Sequence, residues 1–204
     1  MAVTRVAYED DVRLVRVPWR KVGSVAVGVV AFVLGGFLTT NTYAALWQRH
    51  LEGEWAGLVA AGRPAEPVPG EPVAKLVIPR LGIERVVLEG QDRGVLRKGP
   101  GHVPGSALPG ELGNTVIRGH RLLWSGPFRD LHRLNLGSEI HVQTVEGTAV
   151  YLVAGVFRPD GSRIDLYEDT TLPYLTLVTA DPPFRADGTL VVRATMVELN
   201  GEPV

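Results

Sequence analysis

The chain has 204 residues and a formal net charge of −1. That length suits one domain with accessory segments, and the near-neutral balance gives no electrostatic footprint for a polyanion, so nucleic acid is not an expected partner. There is no cysteine, which excludes disulfide stapling and a thiolate nucleophile; the histidines lack metal-ligand spacing, so no metal or other cofactor is expected.

Residues 1–21 are polar and of mixed charge, with Arg13, Arg16, Arg20 and Lys21 crowding the end. From Val22 to Gln48 no charged residue occurs, and Val22–Leu38 is almost continuously apolar. An anchor over 22–47 is long enough for a hydrocarbon core of about 30 Å at about 1.5 Å per residue. It is apolar on every face rather than along one stripe, unlike the buried helix of a globular domain. Basic residues precede this span, while Glu52 and Glu54 follow it beside Arg49. The positive-inside rule then places the N-terminus in the cytoplasm and the rest outside, with Tyr43 and Trp47 near the outer interface. A cleaved signal peptide is the competing reading, since Thr42-Tyr43-Ala44 loosely resembles a small-x-small site; the lead-in of about twenty residues and the long apolar run favour an uncleaved, single-pass anchor. Ser24 and Gly28 have the small-xxx-small spacing of packed membrane helices without fixing an oligomeric state.

Residues 48–74 form a linker carrying Pro64, Pro67, Pro69 and Pro72 among four glycines. Leu51–Ala61 can continue as helix, and the proline-rich half should be an extended spacer holding a globular domain away from the lipid. From residue 75 to 204 the pattern changes to short β-rich runs broken by Gly and Pro. Leu76–Ile78, Glu84–Leu88, Asn114–Ile117, Glu139–Thr144, Ala149–Val156, Tyr174–Thr179 and Leu190–Val197 read as strands, and Arg129–Leu134 as one short helix. Seven or eight strands in a domain of this length point to a mainly β barrel or sandwich.

Five motifs in this domain resemble, in order and spacing, those of the sortase catalytic domain. Lys75-Leu-Val-Ile-Pro-Arg-Leu-Gly-Ile83 is similar to the family's opening strand. Leu96-Arg-Lys-Gly-Pro-Gly-His-Val-Pro-Gly-Ser-Ala-Leu-Pro-Gly-Glu111 resembles its Gly-Pro-Gly-His segment. Gly113-Asn-Thr-Val-Ile-Arg-Gly-His-Arg121 resembles the strand and turn that deliver the family histidine. Phe128–Ile140 is similar to the helix and following strand of the shorter class D and E members, and Thr176-Leu-Val-Thr179 resembles the nucleophile strand, Thr-Leu-x-Thr-Cys. The resemblance implies a closed β-barrel of seven to eight strands with one or two short helices, preceded by a transmembrane helix.

It also implies an activity. Sortases are membrane-anchored transpeptidases in which a cysteine attacks a C-terminal sorting signal, a histidine moves protons and an arginine stabilises the oxyanion. His120 falls on the histidine position. The nucleophile position is Ala180, whose methyl group has no lone pair. Thr179 is one residue away, so its side chain points to the opposite strand face, where packing or a hydrogen bond suits it better than attack. The family arginine lies about nine residues past the nucleophile, a count that reaches Thr189 here. Arg193 is on the same strand face but about 13 Å further along. Arg185, in the loop before Gly188, is the candidate replacement, while Thr179 and Arg193 are candidate substrate-binding residues.

Three functions follow. One is a pseudo-sortase that binds a sorting-signal-like peptide or a cell-surface protein at the outer face of a bacterial membrane. A second is a working cysteine transpeptidase represented by a Cys-to-Ala variant. The third is a hydrolase that uses His120 with a non-cysteine nucleophile.

Overall fold

The computed structural model describes residues 19–62, 67–159, 170–183 and 188–204. The chain divides into two compact units, Met1–Gly36 and Phe37–Val204. Helix α1, Trp19–Ala61, belongs to both. In the first unit it exposes apolar side chains such as Val25, Val29 and Phe32. Among the described residues it is the one helix long and apolar enough to cross a membrane.

The second unit is a closed, mainly β barrel. Its strands are β1 (Pro72–Ile78), β2 (Ile83–Glu89), β3 (Gly101–His102), β4 (Asn114–Arg118), β5 (Glu139–Thr144), β6 (Gly147–Phe157), β7 (Tyr174–Ala180), β8 (Thr189–Leu199) and β9 (Glu202–Pro203). They run in the order β6-β5-β1-β2-β3-β4-β7-β8-β9, and a β6–β8 pairing closes eight of them into a barrel. That pairing decides for a barrel over a sandwich, and β9 is a short appendage on β8. The interior is filled by strand side chains that alternate inward, among them Leu76, Ile117, Ile140, Tyr151, Leu177 and Val192, together with Phe128 from the loop after β4. The central strands β4 and β7 are buried on both faces and read as near-continuous apolar and β-branched runs.

Helices are few. α2 (Arg93–Lys98) starts at Asp92, whose carboxylate accepts from Gly94 N at 2.6 Å and Val95 N at 3.1 Å. The helix anticipated at Arg129–Leu134 is a single 3-10 turn over Leu131–Arg133. A run that short gives too few hydrogen bonds to offset helix nucleation.

Within this unit the second half of α1 lies against the barrel. Leu51 and Trp55 pack on Val86, Leu88 and Val95. Gln48, 6% exposed, spans the contact: its Nε2 donates to Val86 O and Lys98 O, and Val86 N donates to its Oε1. A Cβ on Gly99 would stand 2.1 Å from Gln48 Nε2, so glycine lets the amide approach.

Candidate active site

β4 and β7 pair in parallel, with Arg118 opposite Val178. Extending that register by two residues sets His120 across from Ala180. Gly119 N donates to Val178 O at 3.1 Å and Thr179 Oγ1 donates to Gly119 O at 2.8 Å, so the chain stays tied to β7 up to the histidine. A Cβ at Gly119 would lie 2.7 Å from the fully buried Phe128 ring, which is why glycine precedes His120. Burial of the half-exposed imidazole, and then the Arg97 guanidinium, hold its pKa below the usual 6.5. At neutral pH it is therefore an uncharged imidazole, able to accept a proton.

Ala180 is the exposed last residue of β7 and pairs with Thr189. Alternation puts its methyl on the face of Thr176 and Val178, away from the barrel interior. The Thr179 hydroxyl points the other way, is buried, and has given its hydrogen to Gly119 O. Arg193 is opposite Thr176 on β8, four residues from Thr189. Its guanidinium lies 5.8 Å from the Tyr174 ring, and its buried Nε has no hydrogen-bond partner among the described residues. Arg185 lies outside the described residues.

Two cations missed in the sequence stand at this site. Arg121 donates to Ala180 O at 3.2 Å and pairs with Asp181, which Arg158 grips from the other side. Burial pushes the Asp181 carboxyl up, but the two guanidiniums outweigh it and hold the group below its usual range. Arg97 is the second, placed beside the imidazole by α2. The available signal for Arg121 was its position directly after His120; its contact is made across 59 residues of chain.

A second polar cluster comes from the Gly-Pro-Gly-His segment. His102 Nδ1 lies 2.6 Å from Glu89 Oε2, and its Nε2 lies 3.0 Å from Ala107 O and 2.9 Å from Ser106 Oγ. The connectivity is that of a Ser-His-Glu relay, but the roles are not. Ala107 O can only accept, so Nε2 carries its hydrogen there, and the serine hydroxyl donates to Val103 O at 2.8 Å. The cluster pins the 103–107 segment over Val116 and Val178. Among the described residues no group of three or more His, Asp or Glu side chains could hold a metal.

At position 180 the site thus offers a proton acceptor and a guanidinium donor without a side-chain heteroatom to attack a carbonyl. The Sortase domain family model matches residues 76–197, which include β4, β7 and the paired site positions. The chain is 30% identical over 166 residues to sortase SrtE1 of Streptomyces coelicolor, covering 73% of this chain and 46% of that protein. It therefore spans about half the length of that relative. Sortase E from Streptomyces avermitilis superposes with a TM-score of 0.59 at 30% identity, over 67% of this chain and 93% of that one. The Clostridium perfringens sortase D5 transpeptidase gives a TM-score of 0.67 at 24% identity, over 74% and 99%, a likeness of fold alone. With its motifs in order, its eight-stranded closure and this match across most of the barrel, the chain belongs to the sortase family.

Proposed function

We propose that this protein is a membrane-anchored, extracytoplasmic pseudo-sortase that binds a sorting-signal-like peptide, or the surface protein carrying one, without acyl transfer. In this reading residues 1–21 are cytoplasmic, 22–47 span the membrane, 48–74 connect, and 75–204 form the binding domain. The observation that carries it is Ala180, a methyl at the exposed end of β7 where the family places its nucleophile. His120 takes the acid/base position of the family. Thr179, Arg185 and Arg193 take the supporting positions.

The full chain in detergent micelles, titrated with fluorescent sorting-signal peptides, should raise peptide anisotropy saturably while leaving the peptide uncleaved. Absence of binding to any candidate motif would count against the proposal. Arg121 favours a second reading, a working transpeptidase represented by its Cys-to-Ala variant, because a guanidinium already touches the backbone of position 180. Mass spectrometry of the Ala180→Cys protein with the same peptides separates the two. No adduct supports the pseudo-sortase, whereas a thioester resolved by amines supports the second reading.

A further inference from the structure

The loop after His120 is held by helix α1. Ser125 N donates to Asn41 Oδ1 at 2.7 Å, and Ser125 Oγ donates to Asn41 O at 3.1 Å. Trp124 and Ser125 both adopt positive φ, 57° and 65°, a left-handed conformation that costs L-residues about 1–2 kcal/mol each. The two bonds from Asn41 help to hold the loop in this form. Beside them the Tyr43 ring meets Trp124 edge-on at 5.6 Å. Arg97 lies 5.3 Å over Trp124, and Lys98 lies 4.2 Å over Trp47.

This corner of the barrel unit has an unusual surface. Tyr43, Leu46 and Leu123 are 41%, 58% and 37% exposed, next to the cations Arg97 and Lys98. Asn41 follows Leu38, the end of the apolar run, by only three residues, an axial rise of about 5 Å. A lipid headgroup layer is about 5–8 Å deep beyond the hydrocarbon core. Aromatic rings with apolar bodies and polar tips favour that layer, and Lys and Arg are attracted to its anionic lipids. The patch thus has the composition of a membrane interface and begins three residues along the chain from the end of the apolar run.

We infer that the Arg121–Gly126 loop and the adjoining Asn41–Trp47 turns of α1 form a face that seats the barrel on anionic phospholipid headgroups. The inference rests on the anchor reading given above. It places His120 and position 180 at the membrane-proximal edge of the domain, so the site takes peptide segments that lie close to the lipid surface.

The absence of cysteine makes the test clean. Single-cysteine variants Phe32→Cys, Leu123→Cys and Val68→Cys of the full chain would each carry a fluorescent label in mixed phosphatidylcholine–phosphatidylglycerol vesicles. Val68 is the remote control: it accepts from Glu71 N, and Glu71 borders a cleft with Leu58 and Ala61, some twenty helical residues or about 30 Å beyond Asn41. A nitroxide on the lipid headgroup should at least halve emission from position 123 and leave position 68 unchanged. A nitroxide deep in the acyl chain should quench position 32. Replacing phosphatidylglycerol with phosphatidylcholine should weaken quenching at 123 only. Quenching at 32 with none at 123 overturns the inference and spares the anchor. No quenching at 32 removes the anchor reading, and the inference with it.

Discussion

At the scale of single residues, the chemistry of this site is set by what surrounds position 180. His120 is kept neutral by its burial and by Arg97, and Asp181 is kept ionised by Arg121 and Arg158. Replacing Arg97 with alanine removes one of the two effects that lower the His120 pKa, so that pKa should rise toward 6.5, measurable by NMR titration of the imidazole ring protons. Because the folded-state pKa lies below the unfolded one, the unfolded chain binds the proton more readily. Stability is therefore lost as pH falls from about 6.5 through the lowered value, and the variant narrows that window. The motifs single out His120 and Ala180 as candidate positions, and the β4–β7 register brings those two positions together. Arg121 and Arg97 were not legible as site residues, because each reaches the site through strand pairing or helix placement that local spacing does not encode.

The elements tell a similar story. Most strands could be read from their β-branched runs, but β3 is only two residues long and leaves almost no periodic trace. The stretch 48–61 is helical, as anticipated for Leu51–Ala61, but it lies on β2 and α2 through Gln48, Leu51 and Trp55, a packing the linker reading did not include. Its signal was present: Leu51, Trp55 and Leu58 recur at the i, i+4, i+7 spacing of one helical face. No pattern announces the role of Gln48, since its partners are backbone groups 38 and 50 residues away. Gln48→Ala would strip partners from the buried Val86 amide and should cost about 2 kcal/mol. For a unit of this size that lowers the melting temperature by roughly 4–8 °C in a thermal scan.

For the whole molecule, the barrel closes on itself through β6 and β8 yet keeps an apolar flank outside the closure, formed by Val86, Leu88 and Val95 and covered by α1. A truncation starting at residue 70 removes Leu51 and Trp55 from that flank, forfeiting burial on the order of 3 kcal/mol or more. Such a protein should melt lower and self-associate on size-exclusion chromatography. One starting at residue 40, which retains the helical cover, should run as a single species and melt with the full chain. That closure was not legible in the strand runs alone, because alternating runs of this length suit a sandwich equally well; the order of the motifs is what implied a closed barrel.

The parallel pairing of β4 with β7 also fixes an order in time. Asn114 and Tyr174 are neighbours in space but sixty residues apart in the chain. Such a pair cannot form until the intervening segment has been made, and the entropy of closing so long a loop makes it slow to form afterwards. During synthesis His120 is complete well before the strand that faces it. A chain interrupted before residue 174 therefore has the histidine without β7 beside it, and the pairing that sets His120 across from Ala180 forms only near the end of translation.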